Sequence, residues 1–463
     1  MNRILMFSTS RMLGATMVAV FLWSCSPTEK KESANSFKVP VEYYKLKNGL
    51  KVALSQDKTA PTVAVAVYYN IGFRIEPKDR TGFAHLFEHM MFQGSQNLGK
   101  MEFIQLVQKN GGILNGSTRF DFTNYFEVMP AHKLETALWA EADRMKGLAI
   151  TQDNLTNQQG VVKNEVKVNV LNQPYGGFPW LDMPQFANEN WYNAHNFYGD
   201  LKDLDSAKLE DVNKFFKTYY APNNASLAVV GDFEIEDAKK WIEKYFDSIP
   251  ASTLPPKPDI SEPKQEKEKR FTKEDKLANK PAIAIAYKMP ERNSPEYYAM
   301  GLIDQMLVQG QDSKLYLSLV QDKGYASGVN GGINYLGNMY NYSGPMVWMA
   351  DLIYDSSVSP DSILTQIDKS VAELQKGVSK EDLDLAIVKI RSKLYDDLGG
   401  SFGIGRADML ASFALFDDDP ARINTLEDEF KKVTPELIQK TAQEYLRPTN
   451  RTILIVDPKA ATK

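Results

Sequence analysis

Leu209-Glu-Asp-Val-Asn-Lys-Phe-Phe-Lys-Thr-Tyr-Tyr-Ala-Pro-Asn-Asn224 runs directly into Ala225-Ser-Leu-Ala-Val-Val230. Much later, Pro435-Glu-Leu-Ile-Gln-Lys-Thr-Ala-Gln-Glu-Tyr-Leu-Arg-Pro-Thr-Asn450 runs into Arg451-Thr-Ile-Leu-Ile-Val456. Both stretches read as an amphipathic helix, a Pro-Asn turn and a buried strand, with Pro222 matching Pro448 and Asn224 matching Asn450 at the same offset. A supersecondary unit that recurs in this way marks a duplication. The chain is therefore expected to be a duplicated α+β protein with two homologous halves.

Working outward, Gly49–Leu54 and Thr62–Tyr69 are rich in β-branched and aromatic residues and predict strands. Helical periodicity covers Met101–Lys109, Lys133–Gly147 and Asn154–Val170, with Thr151 and Asp153 where caps belong for the last of these. Between the halves, 250–276 opens with five prolines from 250 to 263 and continues as Lys264-Gln-Glu-Lys-Glu-Lys-Arg270. That composition predicts a stiff, solvated linker between a domain at 39–249 and a second at 277–463. A long surface loop inside one domain also fits the composition, but similar patterns recur on both sides of it.

The chain has 463 residues, a net charge of −5 and a single cysteine, a length that calls for two or more domains. With 54 Lys+Arg against 59 Asp+Glu, nothing suggests a nucleic-acid partner bound through phosphate neutralisation. One cysteine excludes an internal disulfide and every multi-cysteine metal site. The four histidines, His85, His89, His132 and His195, all fall in the first half.

Residues 1–24 carry Arg3 and Arg11 and then the apolar run Leu13–Trp23, which is too short to span a bilayer of about 30 Å and has the layout of a secretory signal. Leu22-Trp23-Ser24-Cys25 resembles a bacterial lipobox, although Trp23 departs from the small residue preferred there. On that reading Cys25 is lipidated, 25–38 is a polar tether, and Ser26 sorts a periplasm-facing lipoprotein to the outer membrane of a bacterial cell envelope. An ordinary signal peptide that happens to contain a cysteine fits the same residues.

Chemistry concentrates in Thr81-Gly-Phe-Ala-His85-Leu-Phe-Glu88-His89-Met-Met-Phe92. Histidines four apart on a helix project from one face at the spacing of two metal ligands, and Glu88 borders the same face. Two satisfied histidines on a half-buried helix are the alternative. A hydrolytic zinc site takes three protein ligands, and no further histidine is suitably placed. Glu165, in Gln159-Gly-Val-Val-Lys-Asn-Glu165-Val166, is the candidate third ligand.

His85-Leu-Phe-Glu88-His89 followed by Val161-Val-Lys-Asn-Glu165 resembles the pitrilysin family of zinc peptidases, M16, the group of insulinase and the mitochondrial processing peptidases. The resemblance extends from about Val39 to Pro458. It takes in Gly111-Gly-Ile-Leu-Asn115-Gly-Ser-Thr118 with Asp121 and Thr123-Asn-Tyr125, the segment Asn172-Gln-Pro-Tyr-Gly176, and both Pro-Asn turns. It implies that each half is a mixed β-sheet flanked by helices, the two enclosing a chamber. It further implies one Zn2+ per chain on His85, His89 and Glu165, with Glu88 as general base of a metalloendopeptidase. A peptide would be bound along Asn115, Gly116 and Ser117 by strand addition, the segment Asn115–Tyr125 reading as one alternating strand; pattern alone allows an ordinary half-buried strand there.

Two departures qualify the resemblance. Many members have a glutamate seven residues before the third ligand, where this chain has Gln158. Active members also place an Arg and a Tyr seven apart in the second half, where this chain has Val320 and Ser327; Tyr325 is out of register, and no Arg occurs between Arg292 and Arg391. The chain is therefore expected to work as half of a heterodimer whose second M16-like subunit carries the Arg/Tyr pair. A non-catalytic scaffold and a peptide- or metal-binding lipoprotein are the competing readings. His132 and His195 have no partner pattern and are assigned ordinary surface or core roles.

Overall fold

A computed structural model describes residues 38–458, so the signal segment, Cys25 and nearly all of the tether lie outside the described residues. The first half builds a six-stranded sheet from Glu42–Lys45 (β1), Lys51–Gln56 (β2), Thr62–Tyr69 (β3), Ile113–Thr118 (β4), Thr123–Pro130 (β5) and Ala225–Gly231 (β6), in the order β1-β2-β6-β3-β5-β4. The second half builds a five-stranded sheet from Lys269–Asp275 (β7), Ala282–Lys288 (β8), Asn330–Ile333 (β9), Val347–Ile353 (β10) and Arg451–Pro458 (β11), in the order β7-β11-β8-β10-β9. In each sheet one pair is parallel, β2 with β6 and β7 with β11, and every other neighbour is antiparallel. Apart from β1, the two sheets share one topology, as the duplicated Pro-Asn turns require.

Alternation along β3 explains how the halves are layered. Val63, Val65, Val67 and Tyr69 pack with the helices of the first half, namely Phe83–Met90 (α1), Glu102–Lys109 (α2), Leu134–Lys146 (α3) and Gln152–Val166 (α4). Ala64, Ala66 and Tyr68 face the opposite way and belong to a core shared with the second half. Ala53, Ala64, Ala66 and Ala228 make that face shallow, so the second half's helix Ile404–Asp417 lies directly across it. Ser226 Oγ donates to Ala411 O at 2.8 Å, and Tyr68 Oη donates to Asp408 Oδ1 at 2.6 Å.

Two sequence expectations need correction. The last residues of the expected linker are β7, paired in parallel with β11 from Lys269↔Thr452 to Asp275↔Pro458. Within the charged run, Lys269, Phe271, Lys273 and Asp275 form a half-buried face and Arg270, Thr272 and Glu274 an exposed one, a period of two masked by charge. The preceding stretch is extended but pinned, because Glu262 accepts from Glu189 N and Asn190 N and pairs with Lys288 at 3.0 Å. Secondly, Asn115–Tyr125 is a hairpin rather than one strand: β4 ends at Thr118, β5 begins at Thr123, and Arg119–Phe122 turn between them.

That turn carries a buried, charged link between the halves. Arg74 and Asp121 are 1% and 4% exposed, and Arg74 Nε donates to Asp121 Oδ1 at 2.7 Å. Asp121 Oδ2 accepts from Ser343 N at 2.9 Å and Gly344 N at 3.2 Å, both in the second half. A side chain at position 344 would meet the Arg74 guanidinium at 2.5–2.8 Å, so glycine is required there. Replacing Asp121 by Ala strands a buried guanidinium and two backbone donors and should cost about 3–5 kcal/mol in urea unfolding. A loss below about 1 kcal/mol, the scale of an exposed pair, would show that the link is dispensable.

Candidate metal centre

α1 has two chemically distinct faces. Phe83, Leu86, Phe87 and Met90 recur at helical spacing and are buried, Phe87 stacking on Phe215 at 4.9 Å and meeting Tyr220 at 5.1 Å. His85, Glu88 and His89 occupy the other face. The helix begins at Gly82, whose φ of 82° suits glycine, and a side chain there would lie 2.7 Å from Tyr198 O. Gly82 has no capping side chain of its own. The buried Glu76 carboxylate serves instead, accepting from Gly82 N at 2.9 Å and Ala84 N at 2.6 Å. Burial pushes the Glu76 carboxyl up, while His195, with Nε2 at 3.9 Å, and the two backbone donors pull it back.

α4 brings the third group. Its start is capped by Thr151 Oγ1, which accepts from Asn154 N, and it continues beyond Val166 through a π-turn at Lys167–Leu171. Glu165 Oε2 lies 3.1 Å from His89 Nε2, Glu165 Oε1 lies 3.5 Å from His85 Nε2, and the two imidazole nitrogens are 3.4 Å apart. Hydrogen bonds from His85 and then His89 hold the Glu165 carboxyl far below the usual carboxylate range, against the opposing effect of burial. Three electron-pair donors thus converge, with one ligand atom of each within 4.8 Å of the others. Two imidazoles and one carboxylate in such an arrangement fit a zinc-type cation and leave room for a further ligand.

Glu88 lies beside this group. Its Oε2 accepts from Thr118 Oγ1 at 2.7 Å, which ties it to the end of β4, the outermost strand of the first sheet. Asn115 is exposed, Gly116 and Ser117 are half-buried, and the outer edge of β4 pairs with no strand among the described residues. Tyr125 Oη, from β5, donates to Phe87 O at 3.1 Å and steadies the helix from below.

Known proteins resemble the chain over most of its length. The family profile described as "Insulinase (Peptidase family M16)" matches 51–185, and "Peptidase M16 inactive domain" matches 206–389, together more than half of the chain. The zinc protease PqqE of Helicobacter pylori is 26% identical over 458 residues, covering 98% of this chain and 99% of that one. A crystal structure of a protease from Helicobacter pylori superposes with a TM-score of 0.82 at 25% identity, covering 91% of this chain and 100% of the other. The mitochondrial-processing peptidase subunit beta of Saccharomyces cerevisiae is 22% identical over 374 residues, 78% of this chain and 79% of that one.

The chain belongs to peptidase family M16.

Other sequence-derived residues fall in distinct places on the M16 frame. Gln158 is buried on α4 and donates to Asn157 Oδ1 at 2.7 Å, while His132 is exposed in a short turn. Val320 is half-buried in the helical turn Tyr316–Asp322, and Ser327 is exposed beyond it. Three residues escaped the sequence reading. Glu76 and Thr118 carry no spacing signal, since each acts across a fold contact. Tyr198 stands edge-on to His85 with ring centres 5.1 Å apart. Burial, then the charges of Glu165 and Glu88, push the Tyr198 phenol up to about 12.

Glu76→Ala would leave the Gly82 and Ala84 N–H groups buried without acceptors, which costs about 1–3 kcal/mol per unsatisfied group. Thermal melting of the variant should show a clear fall in Tm, and Glu76→Gln, which keeps an acceptor oxygen, should recover part of it. An unchanged melt for Glu76→Ala would contradict the capping role.

Proposed function

We propose that this M16 chain is the zinc-binding subunit of a metalloendopeptidase that hydrolyses peptides or unfolded protein segments. The observation that carries the reading is the convergence of His85, His89 and Glu165 beside Glu88, at the end of an unpaired edge strand. His85, His89 and Glu165 would hold the ion, which supplies Lewis acidity and brings the pKa of a bound water towards about 7. Glu88 takes a proton from the attacking water, whose oxygen bonds to the scissile carbonyl carbon. As the C–N bond breaks, Glu88 returns that proton to the leaving nitrogen. Thr118, donating to one oxygen of Glu88, fixes its rotamer and leaves the other oxygen for this exchange. The substrate backbone adds to β4 along Asn115, Gly116 and Ser117, so affinity comes from main-chain hydrogen bonds and tolerates varied sequences.

Outside the described residues, lipid on Cys25 would tether the enzyme on the periplasmic side of a bacterial envelope membrane. Val320 and Ser327 place neither a cation nor a phenol at the two positions of the expected pair, so the reading includes a partner M16-like subunit bearing an Arg/Tyr pair; local substitution by Tyr325 and Lys323 is the alternative. A purely structural role finds little support. The profile named for an inactive domain covers 206–389, a range that contains none of His85, Glu88, His89 or Glu165.

His89→Ala should abolish stoichiometric zinc, measured by elemental analysis after dialysis, because two protein ligands remain. Tight zinc retention by His89→Ala would refute the ligand assignment. Glu88→Gln should keep zinc and lose about 10²–10⁴-fold in turnover of a quenched fluorescent peptide; loss of zinc along with activity would make Glu88 a ligand instead. The purified chain should hold zinc yet cleave unstructured peptides weakly until a partner subunit is added. Undiminished activity of a monomer, established by analytical ultracentrifugation, would remove the partner from the scheme.

A further inference from the structure

Tyr198 lies between the short helices Trp191–Ala194 and Leu201–Ser206. Two contacts fix its place relative to α1. Its carbonyl oxygen closes over Gly82, where a side chain would approach it to 2.7 Å. Its backbone N–H donates to Asn196 Oδ1 at 3.0 Å, which shapes the turn. The ring is then held between two aromatic edges: His85, at 5.1 Å and 66° between planes, and Trp180, at 5.7 Å and 74°. The phenol is half-buried, and its hydroxyl has no hydrogen-bond partner among the described residues. The carboxyl groups that act on it are those of Glu165 and Glu88, the candidate ligand and the candidate base. A hydroxyl in this position is held by the ring's packing and left free to donate.

The two second-half positions where the resemblance expects the pair offer nothing equivalent. Val320 has no polar atom in its side chain, and Ser327 is exposed beyond the Tyr316–Asp322 turn. An oxyanion that develops beside His85, Glu88 and Glu165 therefore receives no donor from those two positions.

We propose that Tyr198 is a further catalytic residue, its hydroxyl donating a hydrogen bond to the scissile carbonyl oxygen as that oxygen gains negative charge. The inference rests on the peptidase reading above. Water oxygen bonds to the carbonyl carbon while Glu88 takes one proton, and the C=O π pair moves onto oxygen, which accepts the Tyr198 O–H bond without proton transfer. The pair then re-forms C=O as the C–N bond breaks and Glu88 protonates the nitrogen. Tyr198 thereby supplies in cis a phenolic donor of its own, in addition to the Arg/Tyr pair of a partner.

Tyr198→Phe keeps the ring and its two aromatic contacts and removes only the hydroxyl. With the zinc-loaded full chain in excess over a quenched fluorescent peptide, the chemical rate should fall about 10²-fold, the usual cost of one oxyanion donor, with peptide affinity changed less than about 2-fold. Affinity for a phosphinic peptide, a mimic of the tetrahedral species, should weaken by a comparable factor in calorimetry, while zinc content and Tm match those of the unsubstituted chain. Unchanged rate and unchanged phosphinic-peptide affinity in Tyr198→Phe overturn the proposal, as does a loss accompanied in proportion by zinc or Tm. Tyr198→Phe behaving like wild type while turnover still depends on zinc and Glu88 sinks Tyr198 alone. Turnover of the unsubstituted chain no greater than that of Glu88→Gln sinks the peptidase reading and this inference with it.

Discussion

Arg74 and Asp121 form an ion pair from which water is almost wholly excluded, and the geometry of the rest of the molecule depends on it. A charge this deeply buried is tolerable only when its partner and further donors are in place. Asp121 meets that demand with two backbone N–H groups of the second half, so the pair is complete only when the halves are docked. Arg74 also donates to Asn193 Oδ1, and Asn193 Nδ2 donates to Ile260 O at 2.8 Å in the extended connection between the sheets. Two residues beyond Arg74 in the same short turn, Glu76 receives the first N–H groups of α1. The packing of the halves and the placement of His85, Glu88 and His89 are therefore set by one four-residue segment, Phe73–Glu76. A change in how the halves dock would be felt at the start of the helix that carries the histidines.

The carboxylates around α1 show how one environment sorts chemically identical groups. Glu76 is enclosed by apolar structure and pushed up, its charge supported by backbone donors. Glu165, half-buried between two imidazoles, is held far down and stays ionised, as a ligand to a divalent cation must. Glu88 takes its contact from the Thr118 hydroxyl, which orients it. Carboxyl groups separated in this way by burial and partner can perform different tasks within one site.

Legibility in the sequence followed the range of each interaction. His85, Glu88 and His89 could be read because a helix converts a spacing of four into a shared face, and the Pro-Asn turns could be read because a duplication repeats local chemistry. Glu165 could be named from the residues only as a candidate, and the family resemblance supported it, since nothing local says that α4 crosses α1 at that residue. Glu76, Thr118 and Tyr198 escaped because each reaches α1 from a different element, and only the fold supplies the proximity. The misread hairpin has a local cause. Residues from Asn115 to Tyr125 alternate smoothly through the turn, so period-two patterning continues across a reversal that only Arg119–Phe122 reveals. β7 failed in the opposite direction, its alternation hidden by charges that suit an edge strand and also suit a linker.

The duplication accounts for why chemistry sits in one half only. In both halves a strand with two antiparallel neighbours, β3 or β8, is followed by helical structure, opening on one main helix, and then by the edge strand of its sheet. In the first half that helix is α1 and the edge is the six-residue β4; in the second they are Pro295–Leu307 and the four-residue β9, Asn-Gly-Gly-Ile. Pro295–Leu307 buries most of its surface, Tyr297 to Asp304 without interruption, so it has no open face on which ligands could stand. Its acidic residue Asp304 accepts from Trp348 Nε1 at 2.8 Å, and burial pushes its carboxyl up to about 6, the behaviour of a core group rather than a ligand. The second helix thus contributes packing throughout, whereas the first keeps a polar face on which Glu88 and His89 are half-buried. The core that Pro295–Leu307 joins is the one that also receives Ala64, Ala66 and Tyr68 from the back of β3. The second half is thereby fitted to brace the first sheet from behind, on the side away from the helix that carries His85, Glu88 and His89.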